Sequence, residues 1–318
     1  MTAGEAVGLD VGGTKINAFR VARDGTVLDR RTGPTPADDT EATLASMIEL
    51  ASQVVTDDVL AVGVGAAGMV DADDGVLRFA PNLAWRELPI RTRMREALRL
   101  PVLVDNDANV AAYAEYRFGA GRGYRHLLLV TVGTGIGGGI VSDGRLFRGA
   151  HGFAAEIGHI IVEPDGPPCG CGNHGCWEQV AAGQAIARLG RDAAATPEGA
   201  EILGLVDGDR ERVTGAVVTR AATGGDPAAT AILGEVGRRL GEGIAGLLNV
   251  LDPQLVVVGG GAIQGGGELI LGPARAACER SVEAPDHRPN VPIVPAEFGN
   301  DAGAIGAATL ALEELART

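Results

Sequence analysis

The sequence predicts an α/β protein of two domains separated by a cleft. Segments patterned as short buried strands alternate with segments of helical periodicity along 318 residues, 46% of which are hydrophobic. A unit of strand, glycine-rich turn and returning strand occurs near the N-terminus and again near the middle of the chain. We expect residues 1–117 to form a smaller N-terminal domain and residues 118–300 a larger one. A C-terminal helix at 301–318 would pack against the first domain.

The first of these units begins with a buried strand at residues 6–11 and returns along residues 16–22. The turn between the strands consists of Gly12, Gly13, Thr14 and Lys15. Such a turn points several backbone N–H groups at one place, which suits a phosphate. Asp10 beside it could bind Mg²⁺ through water, and Lys15 is the only lysine among 27 basic residues. The alternative interpretation is an ordinary tight hairpin.

The second unit begins with an apolar strand at residues 126–132. Its turn consists of Gly133, Thr134 and Gly135. The segment also matches the G-x-G-x-x-G fingerprint of dinucleotide sites, but that fingerprint must open a helix. Residues 140–144 indicate another strand and a hairpin instead. Two such hairpins facing each other across a cleft would bind a polyphosphate from both sides.

Between the two units the pattern predicts a helix at residues 38–54, a strand at 59–65, a turn at 73–75, an irregular segment at 81–85, a helix near 90–99 and a strand at 102–104. Asn82 could bond a substrate hydroxyl or cap a turn. The strand at 102–104 leads into Asp105-Asn106-Asp107-Ala108-Asn109 and then into a helix. Acidic and amide residues at such a junction are usually N-caps, but this run contains more of them than capping requires.

The stretch from Glu156 to Glu178 contains most of the cysteines of the chain: Cys169, Cys171 and Cys176. Three thiols this close to a histidine match a closed tetrahedral Cys3His zinc site. On spacing alone, His159 and His174 are both candidates for the fourth ligand. Disulfide pairing is the alternative, but three neighbouring cysteines cannot pair evenly. A zinc ion with four protein ligands has no open position for substrate, so its role would be structural.

The rest of the chain predicts helices over most of residues 178–249, with the best pattern at 227–249, a strand at 255–258, a helix at 268–282, a strand at 291–296 and a last helix at 301–316. Gly259, Gly260 and Gly261 follow the strand at 255–258 and permit close approach of a flat ring or a sugar. Cys278, in a helical pattern, is most simply a small core residue.

Charge and composition exclude several classes of function. The net charge of -14 argues against nucleic acid or an anionic membrane as a partner. No apolar run is long enough to span a bilayer and no signal peptide is visible, so we expect a cytoplasmic protein. The sequence contains no Walker A motif, which excludes a P-loop enzyme.

Together these motifs resemble the ROK family of bacterial sugar kinases and repressors over nearly the whole chain. The family hallmark, E-x-G-H followed by C-x-C-G-x-x-G-C-x-E, matches the chain from Glu156 to Glu178. The resemblance implies an actin-like ATPase fold, as in hexokinase and Hsp70, with a zinc loop at residues 159–176. It also implies His159 as the fourth zinc ligand.

The resemblance and the motifs together predict the site residues. Asp107 would be the catalytic base, and the N-terminus of the helix would keep it ionised. The expected sugar-binding residues are Gly68, Asn82, Asn106, Asp107, Glu156, His159 and Glu178. The expected nucleotide-binding residues are Asp10, Gly12, Gly13, Thr14, Lys15, Gly133, Thr134, Gly135, Gly260 and Gly261. The expected metal ligands are His159, Cys169, Cys171 and Cys176, and Mg²⁺ would accompany ATP.

The activity that the resemblance implies is ATP-dependent phosphorylation of a hexose, most simply glucose. An N-acetylhexosamine or mannose kinase is the alternative within the same family, and polyphosphate could replace ATP as the donor. A sugar-responsive repressor is a different class, but it would need a winged-helix domain, for which the residues before Gly12 leave no room. We expect the partners to be a small sugar and ATP, and the protein to be a homodimer or homotetramer.

Overall fold

The computed structural model describes residues 4–80 and 85–315. The strands are β1 (Glu5–Val11), β2 (Lys15–Ala22), β3 (Val27–Pro34), β4 (Val59–Ala66), β5 (Met69–Asp71), β6 (Val76–Phe79), β7 (Arg86–Leu88), β8 (Val102–Asn106), β9 (Leu127–Val132), β10 (Ile136–Ser142), β11 (Arg145–Leu146), β12 (Leu255–Gly259) and β13 (Ile293–Pro295). The helices are α1 (Thr40–Ser52), α2 (Ile90–Leu98), α3 (Asp107–Phe118), α4 (Glu178–Ala181), α5 (Gly183–Ala193), α6 (Ala200–Gly204), α7 (Gly215–Thr223), α8 (Pro227–Leu251), α9 (Gly261–Gly266), α10 (Glu268–Ser281) and α11 (Ala302–Leu315). The predicted strands and helices are present, with ends shifted by a few residues.

The first sheet has the order β3-β2-β1-β4-β8. β1 is antiparallel to β2 and parallel to β4, and β4 is parallel to β8. Helix α11 lies directly on this sheet, because a Cβ atom added at Gly8 or Gly63 would overlap the carbonyl oxygen of Ala304 or Ala307. Parallel strands end at one edge of a sheet, so β1, β4 and β8 bring their C-terminal loops together.

The second sheet has the order β11-β10-β9-β12-β13, which repeats the arrangement of the first sheet. In each sheet, three consecutive strands of the chain lie on one side: β1 to β3 in the first sheet and β9 to β11 in the second. The strands on the other side come from later in the chain: β4 and β8 in the first sheet and β12 and β13 in the second. β12 and β13 are parallel. The repetition agrees with the duplicated unit that the two glycine-rich turns predicted.

A small antiparallel sheet formed by β5, β6 and β7 was not predicted. The turn expected at residues 73–75 joins β5 to β6, whereas β7 follows the segment expected to be irregular. Short strands of three or four residues carry too few side chains for an alternating pattern to stand out.

The chain divides into two compact units. Unit 1 contains residues 1–129, 139–155 and 300–318, and unit 2 contains residues 130–138 and 156–299. The predicted domain limits near residues 117 and 300 stay a prediction. Within residues 4–80 and 85–315, none of the helices combines the length and the apolar character that crossing a bilayer requires.

Candidate functional site

The first glycine-rich turn closes the β1–β2 hairpin of unit 1. The N–H of Gly12 donates to the carbonyl oxygen of Lys15 at 3.1 Å. Thr35 supports the turn from outside, because its Oγ1 donates to the carbonyl oxygen of Gly12 at 2.7 Å and its N–H to that of Thr14 at 3.1 Å. Thr14 and Lys15 are exposed at the tip. The structure therefore presents the predicted turn to solvent, and Thr35 is a supporting residue that sequence reasoning missed.

The second turn, at Gly133 to Gly135, belongs to unit 2 and is supported by a helix. The N–H groups of Gly183 and Gln184, at the start of α5, donate to the carbonyl oxygens of Gly133 at 2.9 Å and Thr134 at 3.2 Å. Strand β10 begins directly after the turn at Ile136. The rejection of a dinucleotide fingerprint is thus confirmed, since a strand and not a helix follows the glycines.

The third glycine run lies beside the second turn in unit 2. Gly260 has a φ of 93°, and a Cβ atom added there would overlap the carbonyl oxygen of Val132, the last residue of β9. Only glycine permits this combination of backbone conformation and contact. Gly261 is exposed, with open space around its Cα. Residues at the ends of β9 and β12 therefore form one glycine-lined surface.

The acidic run after β8 is organised by Asn106 in unit 1. Asn106 is the N-cap of α3, and its Oδ1 accepts from the N–H groups of Ala108 at 2.8 Å and Asn109 at 3.2 Å. Its Nδ2 donates to the carbonyl oxygen of Gly68 at 3.0 Å. Gly68 has a φ of 136°. The structure thus joins two of the predicted sugar-binding residues and leaves one amide hydrogen of Asn106 for a ligand.

Asp107 begins α3, and its Oδ1 accepts from the N–H of Ala108 at 2.9 Å. Burial raises the pKa of Asp107, and the helix N–H groups lower it by a smaller amount. The expected influence of the helix N-terminus is present, but burial outweighs it. A carboxylate with a raised pKa accepts a proton more readily.

Asp10 is the second carboxyl group of this region in unit 1. Burial and repulsion from Asp107 raise the pKa of Asp10 to about 6, although Asn17 and Lys15 oppose the rise. Burial raises the pKa of both carboxyl groups, and Asp107 adds to the rise at Asp10. Raised carboxyl pKa values of this kind are a recognisable mark of a functional site, particularly one that binds a cation.

We expect Asp10→Asn to stabilise the protein in the absence of divalent cations. The folded-state pKa of Asp10 lies above its unfolded value of 3.8, so the folded chain binds more protons between about pH 4 and 6 and loses stability as pH rises through that window. Replacing the carboxylate should increase the free energy of unfolding by up to about 3 kcal/mol near neutral pH. The gain should shrink steadily below about pH 6. Chemical denaturation across this range measures it.

Asp24→Asn is the control, because Asp24 lies in an exposed turn and its pKa is lowered by the N–H of Thr26. Relative to wild type, the free energy of unfolding of Asp24→Asn should decrease or stay nearly the same. A gain for Asp10→Asn that does not change with pH would contradict the assignment of a raised pKa to Asp10.

The cysteine cluster lies in unit 2 within one loop. The Sγ atoms of Cys171 and Cys176 are 3.6 Å apart, and Nδ1 of His159 is 3.6 Å from Sγ of Cys169. One ligand atom from each of these residues lies within 4.8 Å of the others. All four cysteines of the chain are free thiols, which excludes the disulfide alternative. Zn–S bonds of about 2.3 Å around a tetrahedral zinc ion place the sulfur atoms about 3.8 Å apart. The Sγ–Sγ distance of 3.6 Å is close to this value, so the cluster fits zinc.

The local backbone explains why His159 and not His174 joins the cluster. His174 pairs with Pro168 through an isolated β-bridge, and the N–H of Cys169 donates to the carbonyl oxygen of Asn173 at 2.8 Å. These bonds form a tight hairpin with His174 exposed near its tip. Burial, together with the neighbouring thiols, raises the pKa of Cys176 to about 12, so metal binding must displace its proton.

The cluster also contacts the predicted sugar-binding glutamate. Oε1 of Glu178 lies 3.2 Å from Sγ of Cys169 and 3.9 Å from Nδ1 of His159. A Cβ atom added at Gly135 would overlap Glu178, so the second glycine turn and the cysteine loop meet at this side chain. The carbonyl oxygen of Glu156 accepts from the N–H of His159 at 3.1 Å. Asn82 lies outside the described residues.

Comparisons with known proteins agree with these features. A family model described as "ROK family" matches residues 6–314. A glucokinase from Streptomyces coelicolor is 43% identical over 314 residues, which cover 98% of each chain.

Two solved structures are similar to this chain over most of its length. A ROK family glucokinase from Streptomyces griseus, in complex with glucose and AMPPNP, has a TM-score of 0.88 and 43% identity, with 98% of this chain and 100% of that chain covered. A ROK hexokinase from Thermus thermophilus has a TM-score of 0.80 and 36% identity, with 99% and 100% covered.

Proposed function

This chain belongs to the ROK family, and we propose that it is an ATP-dependent glucokinase that transfers the γ-phosphate of ATP to the 6-hydroxyl of glucose. The fold is that of the actin-like ATPases, as in the related ROK enzymes. The observation that carries the proposal is the likeness to a glucokinase bound to glucose and AMPPNP, at 43% identity over 98% of the chain.

The proposed base is Asp107. Its Oδ1 is bonded to the N–H of Ala108, which fixes the carboxylate and leaves Oδ2 to accept the proton of the attacking hydroxyl. Phosphoryl transfer depends mainly on positioning and on neutralising charge, and a base that accepts the proton late is sufficient. The raised pKa of Asp107 favours that role.

The proposed sugar-binding residues of unit 2 are Glu156, His159 and Glu178. Carboxylates and an imidazole can bond neighbouring hydroxyls, and a sugar that lacks one of these hydroxyls would leave a buried polar group without a partner. We propose that His159, Cys169, Cys171 and Cys176 bind a structural zinc ion. The ion would fix the orientation of the His159 ring and leave its other nitrogen for the sugar.

The proposed nucleotide-binding residues are the turns at 12–15 and 133–135 together with Gly260 and Gly261. The turns offer backbone N–H groups to phosphate oxygens, and the glycine-lined surface at the ends of β9 and β12 permits close approach of the nucleoside. Mg²⁺ would neutralise the phosphates, with Asp10 as a partner through water. Lys15, exposed at the tip of the first turn, adds a positive charge.

We further propose that the protein acts in the cytoplasm. We also propose that it forms a homodimer or homotetramer. The free thiols of the cysteine loop favour a reducing compartment. Light scattering of the purified chain would determine the oligomeric state.

A panel of sugars tests the substrate assignment. ADP release should be measured with MgATP and glucose, mannose, fructose, N-acetylglucosamine or N-acetylmannosamine under identical conditions. We expect glucose to give the highest kcat/KM. A higher kcat/KM with an N-acetylhexosamine, or no ADP release with any sugar of the panel, would overturn the proposal. Replacing ATP by polyphosphate in the same assay tests the donor.

A further inference from the structure

Asp105, two residues before the proposed base, is nearly fully buried and accepts hydrogen bonds through both carboxylate oxygens. It is 1% exposed. Its Oδ1 accepts from the N–H of Asn106 at 2.8 Å and from Nδ2 of Asn109 at 3.0 Å. Asp105 thus bonds the residue before Asp107 and the residue two positions after it. The backbone that carries Asp107 is fixed between these two bonds.

The other oxygen of Asp105 is occupied by Arg148. Nε of Arg148 donates to Oδ2 of Asp105 at 2.6 Å, and its Nη2 donates to Oε1 of Glu314 on α11 at 3.0 Å. Burial alone would lower the pKa of Arg148, but Asp105 and Glu314 raise it overall, so the guanidinium stays charged. Arg148 therefore neutralises a buried carboxylate and joins the acidic run to a helix distant in sequence.

We propose that Arg148 is a positioning residue for phosphoryl transfer, acting through Asp105 to orient the Asn106–Asn109 turn and with it Asp107. This inference rests on the proposed function. Two nitrogens of Arg148 already donate to the carboxylates of Asp105 and Glu314. We therefore assign Arg148 to positioning and not to direct binding of phosphate. Hydrogen bonds between charged partners are short and strongly directional, which suits the fixing of a loop.

Arg148→Met tests the proposal, because methionine keeps the unbranched shape and removes the charge and the hydrogen bonds. A displacement of about 1 Å at a reacting group can lower a rate roughly 100-fold, so we expect kcat to fall roughly 10- to 100-fold. The KM for glucose should rise much less. Arg148→Lys restores the charge without the planar fork and should recover only part of the loss. A folded Arg148→Met with kcat within about twofold of wild type would overturn the proposal.

A double-substitution cycle separates positioning from general destabilisation. Asp105→Asn removes the buried negative charge, so the guanidinium of Arg148 is no longer required to neutralise it. If the two residues act as one unit, the double variant should lose no more kcat than the worse single variant. A loss in the double variant equal to the product of the two single losses would contradict the proposal. Should Arg148→Met fail to fold, Asp105→Asn alone decides, since wild-type kcat in that folded variant overturns the inference.

Arg117→Met is the matched control. Arg117 forms an ion pair at 2.9 Å with Glu313, which also lies on α11, whereas Arg148 is paired with Asp105 and Glu314. Its kcat should equal that of wild type. Wild-type activity on glucose, measured first, tests the proposed function separately. An inactive wild type contradicts that function, whereas an active wild type with an unimpaired Arg148→Met contradicts only the role of Arg148.

Discussion

Asp107→Asn is expected to lower kcat by roughly 100- to 10,000-fold, the usual effect of losing a general base. Asparagine has nearly the same shape, and its Oδ1 can still accept from the N–H of Ala108, so α3 should begin as before. The carboxamide cannot accept the proton of the attacking hydroxyl at neutral pH. Binding of glucose, measured by titration calorimetry, should change only a few-fold, because only one acceptor is lost and the proposed sugar-binding residues Glu156, His159 and Glu178 are unchanged.

Asp226→Asn provides the matched control for this substitution. Asp226 is also an aspartate at a helix N-terminus, where its Oδ1 accepts from the N–H of Ala229 at 2.7 Å, but it is buried at the start of α8. Its kcat should equal that of wild type. If Asp107→Asn retained more than a tenth of the wild-type kcat, Asp107 would not be the base.

Cys171→Ser is expected to remove zinc and, as a consequence, to lower both thermal stability and glucose affinity. Cys171 is the exposed cysteine of the cluster, so this substitution perturbs the packing of the loop least. Without the metal, the Gly- and Pro-rich loop, which has little core of its own, should become mobile. His159 and Glu178 should then lose their fixed positions. We expect the KM for glucose to rise roughly tenfold or more, as for other disrupted metal shells.

The control for thiol loss is Cys278→Ser. Cys278 is buried in α10, outside the cluster, and burial raises its pKa to about 11. Elemental analysis should find the zinc content of wild type in this variant and almost none in Cys171→Ser. A Cys171→Ser protein that had lost its zinc and yet kept the wild-type KM would separate the metal from sugar binding and refute their coupling.

Short-range patterns of the sequence predicted much of the fold and of the candidate site. The turns at Gly12 and Gly133 could be recognised because each follows a buried strand and precedes another, and the repeated sheet order agrees with their duplication. The cysteine cluster was visible because its ligands lie close together along the chain. The choice of His159 over His174 followed from family resemblance, since spacing alone left both open, and the structure places His159 in the cluster.

Long-range contacts explain what the sequence did not predict. Arg148 reaches Asp105 across 43 positions, and no local pattern marks an arginine as the partner of a buried carboxylate so distant in sequence. The support of the second turn by Gly183 and Gln184 likewise depends on where α5 packs. The raised pKa of Asp10 results from burial and from Asp107, and both follow from tertiary structure.

The most direct test of the account is the identity of the product formed from MgATP and glucose. Phosphorus NMR of the completed reaction, with 6-deoxyglucose as the matched acceptor that lacks the hydroxyl in question, would show where the phosphate goes. The account predicts ADP and glucose 6-phosphate in equal amounts from glucose and no phosphorylated sugar from 6-deoxyglucose. A phosphate on another hydroxyl, or turnover of 6-deoxyglucose at a rate comparable to glucose, would contradict it.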